Sequence, residues 1–158
     1  MTERALAVRR AAPADLRAVL RLFATEIEGD RCDEDAPLPG CYGDALRRMA
    51  SDPDNMLVVA EEEGRVLGVF QLTFIQHVAN RGRLTAQIEN VVVAPGARGR
   101  GVGTAMMTWA IDEARRRGCF RAQLTSNKRR TRAHAFYARL GFVATHEGMK
   151  LVLAPVSA

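Results

Sequence analysis

The spacing of apolar residues divides the chain into helical and extended stretches. Leu16, Val19, Leu20, Phe23 and Ile27 recur at helical spacing, with Pro13 and Asp15 in the first turn, and predict an amphipathic helix. Leu6 to Arg10 before it reads as a short strand. The pattern breaks between Gly29 and Gly43, and a second helix is expected from about Tyr42 to Ala50. Met56 to Glu61 and Val66 to Ile75, joined by Glu62-Glu63-Gly64-Arg65, predict a β-hairpin. His77 to Arg83 is polar and holds Gly82, so a loop is expected there.

From Leu84 the apolar residues alternate as Leu84, Ala86 and Ile88, and then change phase to Val91 and Val93. Because side chains along a strand alternate with period two, the slip requires an extra residue near Glu89-Asn90, a β-bulge that leaves backbone groups unpaired. After Pro95 comes Arg98-Gly99-Arg100-Gly101-Val102-Gly103, then a helix to Arg117 whose inner face is Met106, Met107, Ala110, Ile111 and Ala114, ended by Gly118. Arg115-Arg116-Arg117 reads as a solvated helix end. Phe120 to Thr125 is expected as a strand. Ala133, Phe136, Tyr137 and Leu140 mark a helix closed by Gly141, and Phe142 to Thr145 and Met149 to Leu153 read as two last strands. With no repeat and no linker, these elements predict one α+β domain over residues 1–158, a mixed sheet flanked by helices.

Composition narrows the class. At 158 residues, 47% hydrophobic and 26% charged, the chain can bury a core, and its apolar runs fall short of the roughly 20 residues that cross a bilayer. No membrane association is expected. An N-terminus without a signal pattern and three cysteines (Cys32, Cys41, Cys119) without metal-ligand spacing point to a cytoplasmic protein with free thiols and no metal. Charge is unevenly spread: residues 1–79 hold 9 basic and 14 acidic side chains, residues 80–158 hold 14 and 4. The basic half calls for an anionic partner. Alternating glycines between a strand and a helix, flanked by two arginines, turn N–H groups toward one point and suit a phosphate. The run is neither a Walker A loop nor the dinucleotide fingerprint, since the lysine and the third glycine are missing.

Val91-Val92-Val93-Ala94-Pro95 followed by residues 98–103 resembles the acetyl-CoA signature of the GNAT superfamily of N-acetyltransferases. Ser126-Asn127, Ala133-His134-Ala135-Phe136-Tyr137 and Leu140-Gly141-Phe142 resemble its second cofactor-contacting region. The resemblance implies an α/β/α sandwich whose mixed, mostly antiparallel sheet splays at the bulge, with acetyl-CoA as cosubstrate in the opening. Val91, Val92 and Val93 would meet the pantetheine, Asn127 would reach it, and the N–H groups of Arg98, Gly99, Arg100, Gly101, Val102, Gly103 and Thr104 would hold the pyrophosphate. Ala133 and Phe136 would also contact the cofactor. The 3′-phosphate is left to Lys128, Arg129, Arg130 or Arg132, with Arg130 counted among the cofactor contacts.

A protonated amine must lose a proton before it attacks a thioester. Glu89, beside the bulge and the only acid between Glu63 and Asp112, is the candidate base, acting directly or through water; its structural alternative is pairing with an arginine such as Arg83. Val91 N–H is the candidate oxyanion donor. Tyr137 matches the family's general acid, and His134 is read as structural. The expected acceptor is a small-molecule primary amine. Glu26, Glu28, Asp30, Asp33, Glu34 and Asp35 would attract a cation, whereas Arg81 and Arg83 would suit a carboxylate or phosphonate, and residues 119–142 also resemble the aminoalkylphosphonate acetyltransferases. A homodimer fits the resemblance. The alternatives are an acetyl-CoA-binding regulatory domain without turnover and a nucleic-acid-binding module using Lys128-Arg129-Arg130-Thr131-Arg132. The second lacks a framing motif and has few aromatic residues for stacking, so no nucleic acid is expected.

Overall fold

The computed structural model describes residues 5–26 and 37–153. Five strands lie in one sheet in chain order: β1 (Ala7–Arg10), β2 (Asn55–Glu62), β3 (Arg65–Gln76), β4 (Leu84–Val93) and β5 (Arg121–Leu124). The first four pair antiparallel and β5 runs parallel to β4, so the sheet is mixed, as expected. The helices are α1 (Leu16–Phe23), α2 (Gly40–Ser51), the single turn α3 (Ala79–Gly82), α4 (Val102–Arg116) and α5 (Thr131–Arg139). The β2–β3 turn places Glu63 and Gly64 at φ of 52° and 76°, the pair of left-handed residues that a two-residue hairpin uses to match strand twist. The parallel β4–β5 pair is bridged by α4, the kind of crossover such a pair requires.

Two apolar clusters hold the layers. On one face α4 lays Met106, Met107, Ala110 and Ala114 over Met56, Val58, Phe70, Leu72, Phe74, Ala86 and Ile88. Gly68 permits that approach, because a Cβ there would lie 2.5 Å from Met106 Sδ. Trp109 closes the edge of this cluster against Phe70, and Ile111 is half-buried rather than central. On the other face α1 lays Val19 and Leu22 over Val59, Val69 and Val92. The start of α1 is tied down by Asp15, whose carboxylate accepts bonds from Arg9 and from the Ala12 N–H. Arg9 also pairs with Glu61.

The expected bulge is present. Val69 pairs with Val92 and Gln71 with Glu89, so two steps on β3 are matched by three on β4, and Asn90 takes a φ of 53° there. Pairing between β4 and β5 ends at Ile88 and Leu124. From Glu89 to Val93, β4 has β3 on one side and, among the described residues, no strand on the other.

Three expectations need correction. Phe142 to Thr145 and Met149 to Leu153 are not strands: β5 is the sheet's last strand among the described residues, and Met149, Leu151 and Leu153 are 84–91% exposed. Alternation supplies the face of a strand but not the neighbouring edge that makes one. The segment is attached at its start, where Phe142 packs on Tyr137 and donates its N–H to Tyr137 O; beyond that Lys128 pairs with Glu147 at 2.9 Å on the surface and Gly148 lies near Thr125. The loop at His77 to Arg83 contains the turn α3, with Asn80 and Arg81 both left-handed. Arg117 is not simply solvated, since it lies 4.1 Å over the Phe74 ring and bonds Glu113 and Asp54. Ile27 and Cys32 lie outside the described residues. Cys41 and Cys119 are free, and burial pushes the Cys119 thiol above its ordinary pKa.

Candidate active site

The site is built where β4 leaves β5 and the chain turns into α4. Gly99 and Gly101 have φ of 77° and 84°, angles that glycine adopts without strain. A Cβ at either would meet nothing within 4 Å, so backbone angle rather than crowding demands glycine, and the space before the loop is open. Gly101 caps α4 with no side-chain hydrogen bond, and the first intrahelical bond runs from Ala105 N to Gly101 O. The N–H groups of Val102, Gly103 and Thr104 therefore have no acceptor within the helix. An anion such as the pyrophosphate of coenzyme A fits this uncapped, positive helix start. Val102 can offer only its N–H, because its side chain is core. Gly103 lets the Phe136 ring approach to 3.4 Å of where a Cβ would stand, which docks α5 against the loop and Val93.

The arginines of the loop are engaged. Arg98 donates to Val93 O and pairs with Glu26, and Arg130, at the start of α5, pairs with the other oxygen of the same carboxylate at 3.3 Å. Glu26 thus spans from the loop to α5. Sequence reasoning assigned Glu26 to an acidic acceptor cluster; its expected companions Glu28, Asp30, Asp33, Glu34 and Asp35 lie outside the described residues. Arg100 pairs with Glu62 at 2.7 Å. Among the described residues Arg129 and Arg132 have no carboxylate partner, which leaves them available to a further phosphate.

Glu89 lies opposite Ile88 on the pleat, exposed, and pairs in register with Gln71. The arginine partner that would make it structural is absent among the described residues: Arg83 donates to Asn80 O and stacks on Phe120. Val91 and Val93 are half-buried toward the α4 face, whereas the Val92 side chain is core under α1 and can serve a ligand only through its backbone. Tyr137 lies in an aromatic group with Phe136 and Phe142, at centroid distances of 5.2 and 5.9 Å. Burial raises its phenol pKa while Arg130 pulls it down, so the hydroxyl is held protonated beside a cation. The Oδ1 of Asn127 accepts the Arg129 N–H in the loop's own turn, which leaves its amide N–H groups unused by that bond. His134 bonds Asn127 O through Nε2. Ser126 Oγ is buried with no partner among the described residues. Ala133 is half-buried in the first turn of α5.

Two features escaped sequence reasoning. The bridging role of Glu26 has no local signature. The amides near Glu89, Gln71 beside it and Gln87 with Gln123 one row on, were legible as alternation in the strands but gained meaning only from register.

Residues 17–142 match the model of the acetyltransferase (GNAT) family. The chain is 33% identical over 105 residues to an aminoalkylphosphonate N-acetyltransferase of Salmonella typhimurium, covering 66% of this chain and 68% of that one. It is 34% identical over 90 residues to a glucosamine 6-phosphate N-acetyltransferase of Trypanosoma brucei, covering 57% and 59%. Among solved structures it resembles a protein of Bacillus halodurans described as a transcriptional regulator (36% identity, TM-score 0.89, 94% of this chain and all of that one) and a putative acetyltransferase of Agrobacterium tumefaciens (27%, TM-score 0.81, 92% and 99%).

Proposed function

The chain belongs to the GNAT family of acetyltransferases, and on that premise we propose that it transfers the acetyl group of acetyl-CoA to a primary amine of a small molecule by direct attack in a ternary complex. The uncapped, glycine-walled start of α4 beside the freed edge of β4 carries this reading. Acetyl-CoA supplies the thioester. The N–H groups of residues 101–104 hold its pyrophosphate, Arg129 and Arg132 are free to take its 3′-phosphate, and the edge at Val91 and Val93 aligns its arm.

Glu89 takes the proton of the acceptor ammonium, directly or through water. The amine nitrogen then bonds to the acetyl carbon, the carbon–sulfur bond breaks, and the nitrogen sheds its second proton to water as the amide forms. In this reading the Val91 N–H stabilises negative charge on the carbonyl oxygen. Tyr137 gives its proton to the leaving sulfur: burial keeps the phenol protonated until then but makes it a weaker acid, a cost that Arg130 offsets by stabilising the phenolate. The rival reading as a nucleic-acid module is weakened because two of the four cations at 128–132 are already paired, Lys128 with Glu147 and Arg130 with Glu26. No helix among the described residues is long and apolar enough to cross a membrane.

Tyr137→Phe tests the assignment. The ring still packs, so acetyl-CoA affinity is expected to hold while kcat falls about 10²-fold or more. A kcat within about twofold of wild type would transfer the proton donor's role to water or another residue.

A further inference from the structure

The face of the sheet that α1 covers is apolar only as far as α1 reaches. The row under the helix is Val59, Val69 and Val92. One step along, register aligns Leu57, Gln71 and Glu89; the next row is Asn55, Thr73, Gln87 and Gln123; the last is Ile75, Thr85 and Arg121. On the opposite face the same strands present Met56, Leu72, Phe74, Ala86, Ile88, Ala122 and Leu124. Neutral amides on an inner sheet face cost free energy unless they are hydrogen-bonded, and these are half-buried and only partly used. Gln71 donates to Asn55, and Gln123 donates to Gln87. The Gln87 amide donors and the Gln123 carbonyl keep capacity for a ligand.

At the far end Arg121 donates to Thr85 Oγ1 and stacks 4.9 Å over Phe120, with no carboxylate partner among the described residues. Thr85 itself is fully buried. A line along β4 from the bulge therefore meets a carboxylate, a pair of amides and a guanidinium, spaced by two strand repeats and spanning about 13 Å between the Cα atoms of Glu89 and Thr85.

We propose that this strip is the acceptor floor and that it selects a hydroxylated amine of about the size of a sugar ring bearing an anionic group at the end remote from the amine. The ammonium lies at Glu89, hydroxyls bond the Gln87–Gln123 pair, and the anion meets Arg121. This rests on the acetyl-transfer reading above and narrows its acceptor. A short aminoalkylphosphonate, with two carbons between nitrogen and phosphorus, is shorter than this row, and an aliphatic amine offers nothing to the remaining amide donors and acceptors.

The test is steady-state acetylation of glucosamine 6-phosphate, glucosamine, 2-aminoethylphosphonate and cyclohexylamine by wild type, Arg121→Gln, Arg121→Lys and Gln87→Leu. The phosphorylated sugar is expected to exceed the unphosphorylated one in kcat/KM by about tenfold or more. Arg121→Gln should erase that ratio with the KM for acetyl-CoA unchanged, and Arg121→Lys should restore part of it. Gln87→Leu should raise KM for both sugars and not for cyclohexylamine. Preference for cyclohexylamine or 2-aminoethylphosphonate, survival of the phosphate preference in Arg121→Gln, or acetyl-CoA binding without turnover of either sugar would overturn the acceptor assignment alone. Failure of acetyl-CoA to bind wild type would overturn the transfer reading and this inference with it.

Discussion

The two faces of the sheet are made from the same strands and carry opposite demands. The α4 face is aliphatic and aromatic along the rows it covers, and Phe70, Leu72, Ile88, Met106 and Met107 are fully buried in it. The α1 face is aliphatic under α1 and turns to amides, hydroxyls and one carboxylate at the row of the bulge. Adjacent residues on one strand thus serve different ends: Ile88 holds the fold, and Glu89 faces the opening. The polar rows lie beyond the Val19 and Leu22 contacts of α1, where the sheet has no need to be apolar.

Substitutions at these neighbours should separate the faces most sharply. Glu89→Gln is expected to lower kcat/KM at neutral pH by about 10²-fold or more with the melting temperature unchanged. The defect should shrink as pH approaches the acceptor amine's own pKa of about 10, where free amine no longer needs a base. Ile88→Ala should do the reverse, costing about 2–5 kcal/mol in urea unfolding. A pH-independent defect in Glu89→Gln together with a loss of melting temperature would put Glu89 on the structural side of the comparison.

Gly68→Ala probes the α4 face at its tightest contact. The new methyl must displace Met106, which is fully buried, so a loss of about 1–3 kcal/mol is expected in the same assay. The smallest effect belongs to the α1 face. Arg9 first, helped by the Ala12 N–H, holds the Asp15 carboxyl below its ordinary range despite burial. A lowered folded pKa gives stability that is fully present above the unfolded value of about 4 and is lost as pH falls through the folded value. Asp15→Asn should therefore cost about 1 kcal/mol at pH 7, with the gap to wild type closing below about pH 4 in thermal melts.

Much of this layout is legible in the amino-acid order because it follows from period and punctuation. The phase slip at Ile88 and Val91 announced the bulge, and alternating glycines announced the helix start. Asn90 at positive φ carried a further hint, since asparagine tolerates that region better than most side chains. What stayed hidden depends on pairing between distant segments. Met149 to Leu153 alternate like a strand, yet no local rule supplies the edge they would need. Likewise, only register reveals that Gln71 adjoins Glu89 and Gln123 adjoins Gln87, and nothing near Glu26 in sequence points to Arg98 or Arg130, 72 and 104 positions away.

The Glu26 bridge sets an entry threshold. A carboxylate tethered between Arg98 and Arg130 acts as a built-in competitor whose effective concentration is fixed by the fold rather than by the solution. Any anion entering between these arginines trades places with it, so the gain is a difference between two ion pairs and not the full attraction of two guanidinium groups. Singly charged ions of the medium gain little from that exchange. A ligand that also engages the N–H groups of residues 101–104 brings a second point of attachment that the tethered carboxylate cannot match, so occupancy of the arginines is made to depend on occupancy of the helix start.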